Sequence, residues 1–167
     1  TRVETVVPFY HRWLDRFPDV ATLADAPVDD VLKVWEGLGY YSRARNMHAA
    51  ARILRERHDS AVPSSHDALR VLPGIGDYTA GAVSSIAFGE RRPAVDGNVR
   101  RVLSRVLDLP APSAALLRDV ATTLVPDDRP GDFNQALMEL GATICTPRSP
   151  RCDRCPIAPQ CAALAAG

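Results

Sequence analysis

Apolar residues recur at three- and four-residue spacing along nearly the whole chain. Val3, Val6, Val7, Tyr10, Trp13, Leu14 and Phe17 form one stripe; Val31, Val34, Trp35 and Leu38 form the next, behind a Pro27 suited to a first helical position. Met47, Ala50, Ala51 and Leu54 repeat the pattern, as do Val99, Val102, Leu103 and Val106, then Leu117, Val120, Ala121 and Leu124. Phe133, Ala136, Leu137, Leu140 and Ile144 make the last strong stripe, with Asp132 in place to cap it. No segment alternates as a strand does. The pattern predicts an all-α fold of about nine short helices, with connections marked by Pro and Gly.

Composition narrows the function classes. The chain has 167 residues, 46% of them hydrophobic and 24% charged, which suits one domain or two small lobes and excludes disorder. Twenty basic and twenty acidic side chains cancel, so it is not a polycation that holds nucleic acid by bulk attraction. No apolar stretch is long enough to span a membrane, and Thr1-Arg2-Val3-Glu4 lacks the features of a signal peptide. A cytoplasmic protein is expected.

The charge is uneven along the chain. Arg43, Arg45, Arg52, Arg55 and Arg57 face Glu56 alone within 43–57, and Arg91, Arg92, Arg100, Arg101 and Arg105 face only Asp96 within 91–105. Such islands are either contact points on a polyanion or solvated helix faces, and charge does not decide between them. Lys33 is the only lysine. That limits chemistry requiring an amine nucleophile.

Three local patterns carry candidate chemistry. Ser64-Ser65-His66-Asp67 opens a short apolar helix ending at Val71-Leu72. Pro73-Gly74-Ile75-Gly76 then precedes a helical pattern from Tyr78 to Phe88. Two glycines around one aliphatic residue make either a plain turn or a cradle of backbone N–H groups that holds a phosphate beside a helix N-terminus. Val95-Asp96-Gly97-Asn98 places a carboxylate before a helical stripe, as a cap or as a reactive group, with Gly97 permitting a close turn. The four cysteines follow the spacing Cys145-x6-Cys152-x2-Cys155-x5-Cys161. Disulfides do not suit a cytoplasmic chain. A zinc knuckle pair needs a second Cys-x2-Cys, and four thiolates in a Pro-rich loop also suit a [4Fe-4S] cube.

The string from Leu72 to Ala80, the cysteine spacing and Asp96 together resemble the helix-hairpin-helix DNA glycosylase superfamily that includes endonuclease III. The segment Gly37-Leu38-Gly39-Tyr40-Tyr41-Ser42-Arg43-Ala44-Arg45-Asn46, with Tyr78 and Asp96-Gly97-Asn98, is similar to the adenine glycosylases of the MutY type. The resemblance runs from Thr1 to about Ala163 and implies a [4Fe-4S] cluster on Cys145, Cys152, Cys155 and Cys161. It implies catalysis by Asp96 with Tyr78 and Asn98. DNA contacts follow from Leu38, Tyr40, Arg43, Arg45, Gly74, Ile75, Gly76 and Arg100, with Leu38 and Tyr40 wedging into the stack. Arg148, Arg151 and Arg154, between the cysteines, would lie on a loop able to touch phosphates. Bifunctional members form a Schiff base through a lysine in the hairpin helix, where this chain has Tyr78, so a monofunctional enzyme is expected.

The implied substrate is adenine opposite 8-oxoguanine or guanine in double-stranded DNA, acted on by a monomer in the bacterial cytoplasm or nucleoid. The implied architecture is two lobes, 1–90 with the hairpin at about 64–88 and 91–167 with the cluster, and Asp96 in the cleft between them. The family's general-acid glutamate and paired glutamines match positions before Thr1, and Glu4 is not assigned that role. An 8-oxoguanine recognition domain is not expected in this chain, which reads as a core shortened at both ends. Two other readings stay open: a thymine or uracil mismatch glycosylase, and an iron–sulfur DNA-binding module without catalysis.

Overall fold

The computed structural model describes residues 3–167. Thr1 and Arg2, part of the start that reads as lacking a leader, lie outside the described residues. Among the described residues ten α-helices follow one another: α1 Val3–Arg16, α2 Val20–Asp25, α3 Val28–Trp35, α4 Tyr41–Arg57, α5 His66–Arg70, α6 Asp77–Phe88, α7 Gly97–Val106, α8 Ala114–Leu124, α9 Pro130–Thr143 and α10 Ala162–Ala166. Two short 3-10 turns, Cys152–Arg154 and Ala158–Gln160, precede α10. No strand occurs among the described residues, and no helix there is long and apolar enough to cross a membrane.

The helices start and stop for local reasons. Asp19 caps α2 by accepting the Thr22 N–H at 2.7 Å, and Ser113 caps α8 through Leu116 N at 3.1 Å. Pro27 stands one residue before α3, as its N-cap, instead of inside its first turn. The cap expected at Asp132 is not there. Arg129, in a left-handed conformation, precedes Pro130 at the head of α9, and Asp132 binds the Arg129 side chain at 2.6 Å. Proline supplies the preset φ that starts this helix, and the carboxylate only braces it.

The chain packs as two units, Thr1–Pro63 with Ala68–Ile75 and Ser64–Asp67 with Gly76–Gly167. The division falls before α6, not near residue 90, because α6 packs on α9 within the second unit. In the first unit α4 packs on α2 and α3 around Phe17, Leu23, Val31, Ala44 and Ala51. Of the stripe expected on α4, Ala50, Ala51 and Leu54 are buried, whereas Met47 is exposed and Ala44 and His48 are buried in addition. Alanine lets neighbouring helices approach closely, so the small residues face inward and methionine does not. In the second unit α7 packs on α8 and α9 around Val99, Leu103, Leu117 and Ala121.

Glu90 closes the second unit. Its Oε2 accepts the His66 N–H at 2.6 Å, and its Oε1 accepts from Arg92 Nε at 3.0 Å. Burial pushes this carboxyl up, but the hydrogen bonds from His66 and Arg92 outweigh burial and hold it below its ordinary value of 4.5. A carboxyl depressed on folding stabilises the fold above its unfolded value, and that contribution disappears as pH falls through the folded value. The urea midpoint is therefore expected to fall between about pH 5 and pH 3, and Glu90→Gln to flatten that acid limb. An unchanged limb in the variant would assign the acid sensitivity elsewhere.

Candidate active site and cysteine cavity

Asp96 is the N-cap of α7 and at the same time a pocket carboxylate. Its Oδ1 accepts the Val99 N–H at 2.7 Å, and its Oδ2 accepts from Asn98 Nδ2 at 3.0 Å. The capping and functional readings are therefore compatible. The cap fixes the rotamer, and each oxygen keeps a lone pair. Gly97, expected to make a close turn, instead begins α7 without positive φ, and a Cβ there would meet nothing within 4 Å.

An open pocket of about 600 Å³ lies beside this carboxylate, lined by Tyr78, Arg92, Asp96, Gly97, Arg100 and Arg118 among others. Every lining residue belongs to the second unit. Burial pushes the Tyr78 phenol above its ordinary value, and the Asp96 charge adds to the shift. Tyr78 thus offers a neutral hydroxyl beside the carboxylate, with its oxygen 3.5 Å from Met138 Sδ. Asp77 is joined to Arg118 at 2.8 Å, and His66 Nε2 stands 3.6 Å from Asp77. No site role falls on Arg92, His66, Asp77 or Arg118 in the sequence: Arg92 is a member of the arginine island, His66 and Asp77 stand in the hairpin strings, and nothing marks Arg118.

Asn98 passes the site onward. Its Oδ1 accepts from Arg101 Nη2 at 2.9 Å, and the same guanidinium donates to the carbonyls of Gly141 at 2.7 Å and Cys145 at 2.8 Å. Arg105 donates to the Thr146 carbonyl at 2.8 Å and has Nη1 3.3 Å from Cys145 Sγ. Arg91 binds the Val125 carbonyl, Arg92 binds Glu90, and Arg100 binds the Pro112 carbonyl. All five arginines of the 91–105 island thus make hydrogen bonds within the fold, and Arg92 and Arg100 also line the pocket. Arg101→Gln is expected to lower stability by about 2 kcal/mol, since buried carbonyls lose a charged donor. Arg101→Lys should recover only part of this, because an ammonium cannot reproduce the planar fork. Urea denaturation measures both.

The hairpin divides its two glycines. Gly74 has φ 78°, and a Cβ there would come within 2.7 Å of Asn46, so glycine is required by conformation and by space. Gly76, at φ −86°, is the N-cap of α6 and has no side chain of its own to cap the first turn, and a Cβ there would meet nothing within 4 Å. The fold itself does not need glycine there. Ile75 is half-buried, and its N–H donates to the Leu72 carbonyl at 3.2 Å.

In the first unit Leu38 is half-buried, Tyr40 is 77% exposed, and Arg43 and Arg45 are exposed. Of the remaining candidates, Asp96, Tyr78 and Arg100 line the pocket of the second unit, and Asn98 reaches it only through its hydrogen bond to Asp96.

All four cysteines are free and line one cavity of about 220 Å³, walled by Val102, Val106, Leu140, Ile144 and Leu164. Among the described residues no three Cys, His, Asp or Glu side chains converge as ligands of a single ion. Four thiols around an apolar cavity fit a cluster that takes one sulfur per iron better than they fit one tetrahedral zinc. Of the interligand arginines, Arg151 is already bound to the Thr143 carbonyl, whereas Arg148 and Arg154 are exposed.

An all-helical fold with this hairpin, pocket and cysteine cavity defines a helix-hairpin-helix protein carrying a metal-cluster module. The family model described as HhH-GPD superfamily base excision DNA repair protein matches residues 1–126, and the chain belongs to that superfamily. Residues 145–161, which contain the four cysteines, match the iron-sulfur binding domain of endonuclease III. The adenine DNA glycosylase of Rattus norvegicus is 47% identical over 98% of this chain and 33% of its own length; that of Mycolicibacterium smegmatis is 44% identical over 94% and 55%. This chain thus spans about a third of the length of the mammalian relative. A solved thermostable thymine-DNA glycosylase superposes with TM-score 0.89 at 29% identity, covering 97% of this chain and 77% of that one. An endonuclease III–DNA complex gives 0.84 at 25%, covering 98% and 77%.

Proposed function

We propose that this chain is the catalytic portion of a monofunctional adenine DNA glycosylase. It hydrolyses the N-glycosidic bond of an adenine opposite 8-oxoguanine or guanine. The observation that carries the reading is Asp96, a carboxylate fixed by two hydrogen bonds at the edge of a pocket that holds no lysine. Loss of the base leaves positive charge on the deoxyribose, and a preorganised carboxylate stabilises that charge electrostatically or by bonding to the sugar. Tyr78 and Asn98 keep the carboxylate in place, one as a neutral neighbour and one as a donor. Without an amine at Tyr78 no Schiff base forms, and the strand stays intact.

DNA is held at several points. The uncapped first turn of α6, with a Gly76 that leaves room for an approaching group, suits a phosphate oxygen beside Gly74 and Ile75. Arg100, Arg43 and Arg45 add cations, while Leu38 and Tyr40 wedge into the stack so that the base leaves it. Cys145, Cys152, Cys155 and Cys161 hold a [4Fe-4S] cluster, whose bonds to four thiolates would pin the 145–161 loop as a structural staple. The protein acts as a monomer on duplex DNA in the bacterial cytoplasm.

The test uses single-turnover release of base from three duplexes, carrying adenine opposite 8-oxoguanine, thymine opposite guanine, and uracil opposite guanine. Release of adenine alone, with the strand uncut until alkali is added, is expected. Release of thymine or uracil assigns a mismatch glycosylase instead, and binding without release of any base assigns a non-catalytic module. The purified chain should be brown with about four irons per molecule; a colourless chain with one zinc sinks the cluster reading.

A further inference from the structure

Three of the four residues from Gly37 to Tyr40 have positive φ: 96° at Gly37, 70° at Gly39 and 49° at Tyr40. Tyr40 is the one among them that carries a side chain into a conformation L residues avoid. It is 77% exposed, so burial does not hold it there, and as the residue before α4 it makes no capping hydrogen bond with its side chain.

Two contacts hold it instead. The Trp35 indole N–H donates to the Gly39 carbonyl at 2.9 Å, which fixes the peptide leading into Tyr40. The guanidinium carbon of Arg43 lies 5.4 Å from the Tyr40 ring centroid and 5.8 Å from that of Trp35, so one cation serves both rings. Trp35 is in turn set edge-on to Trp13 at 5.4 Å, and Trp13 to buried Phe17 at 5.0 Å. A line of contacts therefore runs from the core of the first unit to an exposed aromatic ring.

We propose that Trp35 is a positioning residue for Tyr40, with Arg43 as the bridge between the two rings. It keeps the tyrosine ordered and outward before any duplex arrives. The inference rests on the reading of Tyr40 as the wedge. A ring ordered in advance loses no further conformational entropy on insertion, so binding free energy goes into unstacking the bases.

The readout is the fluorescence of 2-aminopurine placed next to an adenine•8-oxoguanine mispair, measured at saturating protein, together with affinity for a matched duplex as a check of folding. Trp35→Phe keeps a ring against Trp13 and Arg43 but removes the N–H. It is expected to cut the fluorescence rise about fivefold, the effect of one ordinary hydrogen bond, with matched-duplex affinity held. Trp13→Phe disturbs the same aromatic packing without touching Gly39 and should keep the rise. Equal losses in both variants would reduce Trp35 to a packing residue and overturn the proposal. An intact rise in Trp35→Phe, when Tyr40→Ala abolishes it, overturns the proposal while leaving the wedge in place. An intact rise in Tyr40→Ala removes the wedge reading and the positioning role with it. Independently of any variant, NMR relaxation of Tyr40 in the unliganded chain should show an ordered side chain; an order parameter below about 0.6 overturns the proposal.

Discussion

Asp96→Asn is expected to lower single-turnover adenine release by about 10²–10³-fold, the usual effect of deleting one preorganised electrostatic partner of a transition state. The substitution is informative because asparagine caps helices as well as aspartate does. Its amide oxygen can still accept the Val99 N–H that Oδ1 now holds at 2.7 Å. What changes is the other oxygen. Oδ2 accepts from Asn98 Nδ2, and Asn98 Oδ1 accepts from Arg101, so donors and acceptors alternate along the chain. An amide at position 96 sets a donor against a donor. Turning over the Asn98 amide only moves the conflict to Arg101, which cannot accept. Stability should therefore fall by about 1 kcal/mol, far too little to account for the lost rate. Asp96→Ala removes the cap as well and should lose up to about 2 kcal/mol. A folded Asp96→Asn chain that releases adenine within tenfold of the parent would remove Asp96 from the catalytic role.

Much of this site is legible in the sequence because its signals are local. The Asp96 cap, the Gly74 turn and the run of cysteines each occupy a few consecutive residues, and the helical stripes place them on an all-α frame. The direction in which an arginine points is not local. Arg101 and Arg105 look in the sequence like members of a basic surface island. The structure turns both toward backbone carbonyls of the cysteine segment, because that loop presents carbonyls with no strand or helix to satisfy them. Asn134 was invisible for a related reason. It is only 2% exposed, and its amide donates to Ser85 Oγ and the Arg92 carbonyl while accepting from Ala94 N–H. No spacing rule marks a polar residue on an apolar stripe as a three-way brace. Met47 is exposed although the rest of its stripe is buried, because apolar character alone does not show which face of α4 needs the smaller side chains.

Glycines inside helices were the least legible feature, and the largest stability effect should come from one of them. A Cβ on Gly81 of α6 would stand 2.1 Å from the Pro93 carbonyl oxygen and 3.1 Å from its carbon. Both are backbone atoms, so no rotamer relieves the clash. The strand of chain they belong to cannot retreat freely either, since Asn134 holds Arg92 and Ala94 on either side of Pro93. Alanine would favour the helix by about 1 kcal/mol over glycine, but overpacking against fixed backbone should outweigh this, for a net loss of about 3 kcal/mol. For a chain of this size that is a fall in Tm of about 6–12 °C. Gly97→Ala is the control: its Cβ meets nothing within 4 Å and its φ is not positive, so the Tm should stay or rise slightly. The same displacement has a functional reading, because Pro93 lies three residues before Asp96. Partial rescue of stability by a compensating change elsewhere in α6 should therefore not restore adenine release unless Pro93 returns to its parental position. A Gly81→Ala chain with unchanged Tm would show that the 93–96 segment yields easily, and that the carboxylate is held by its own cap alone.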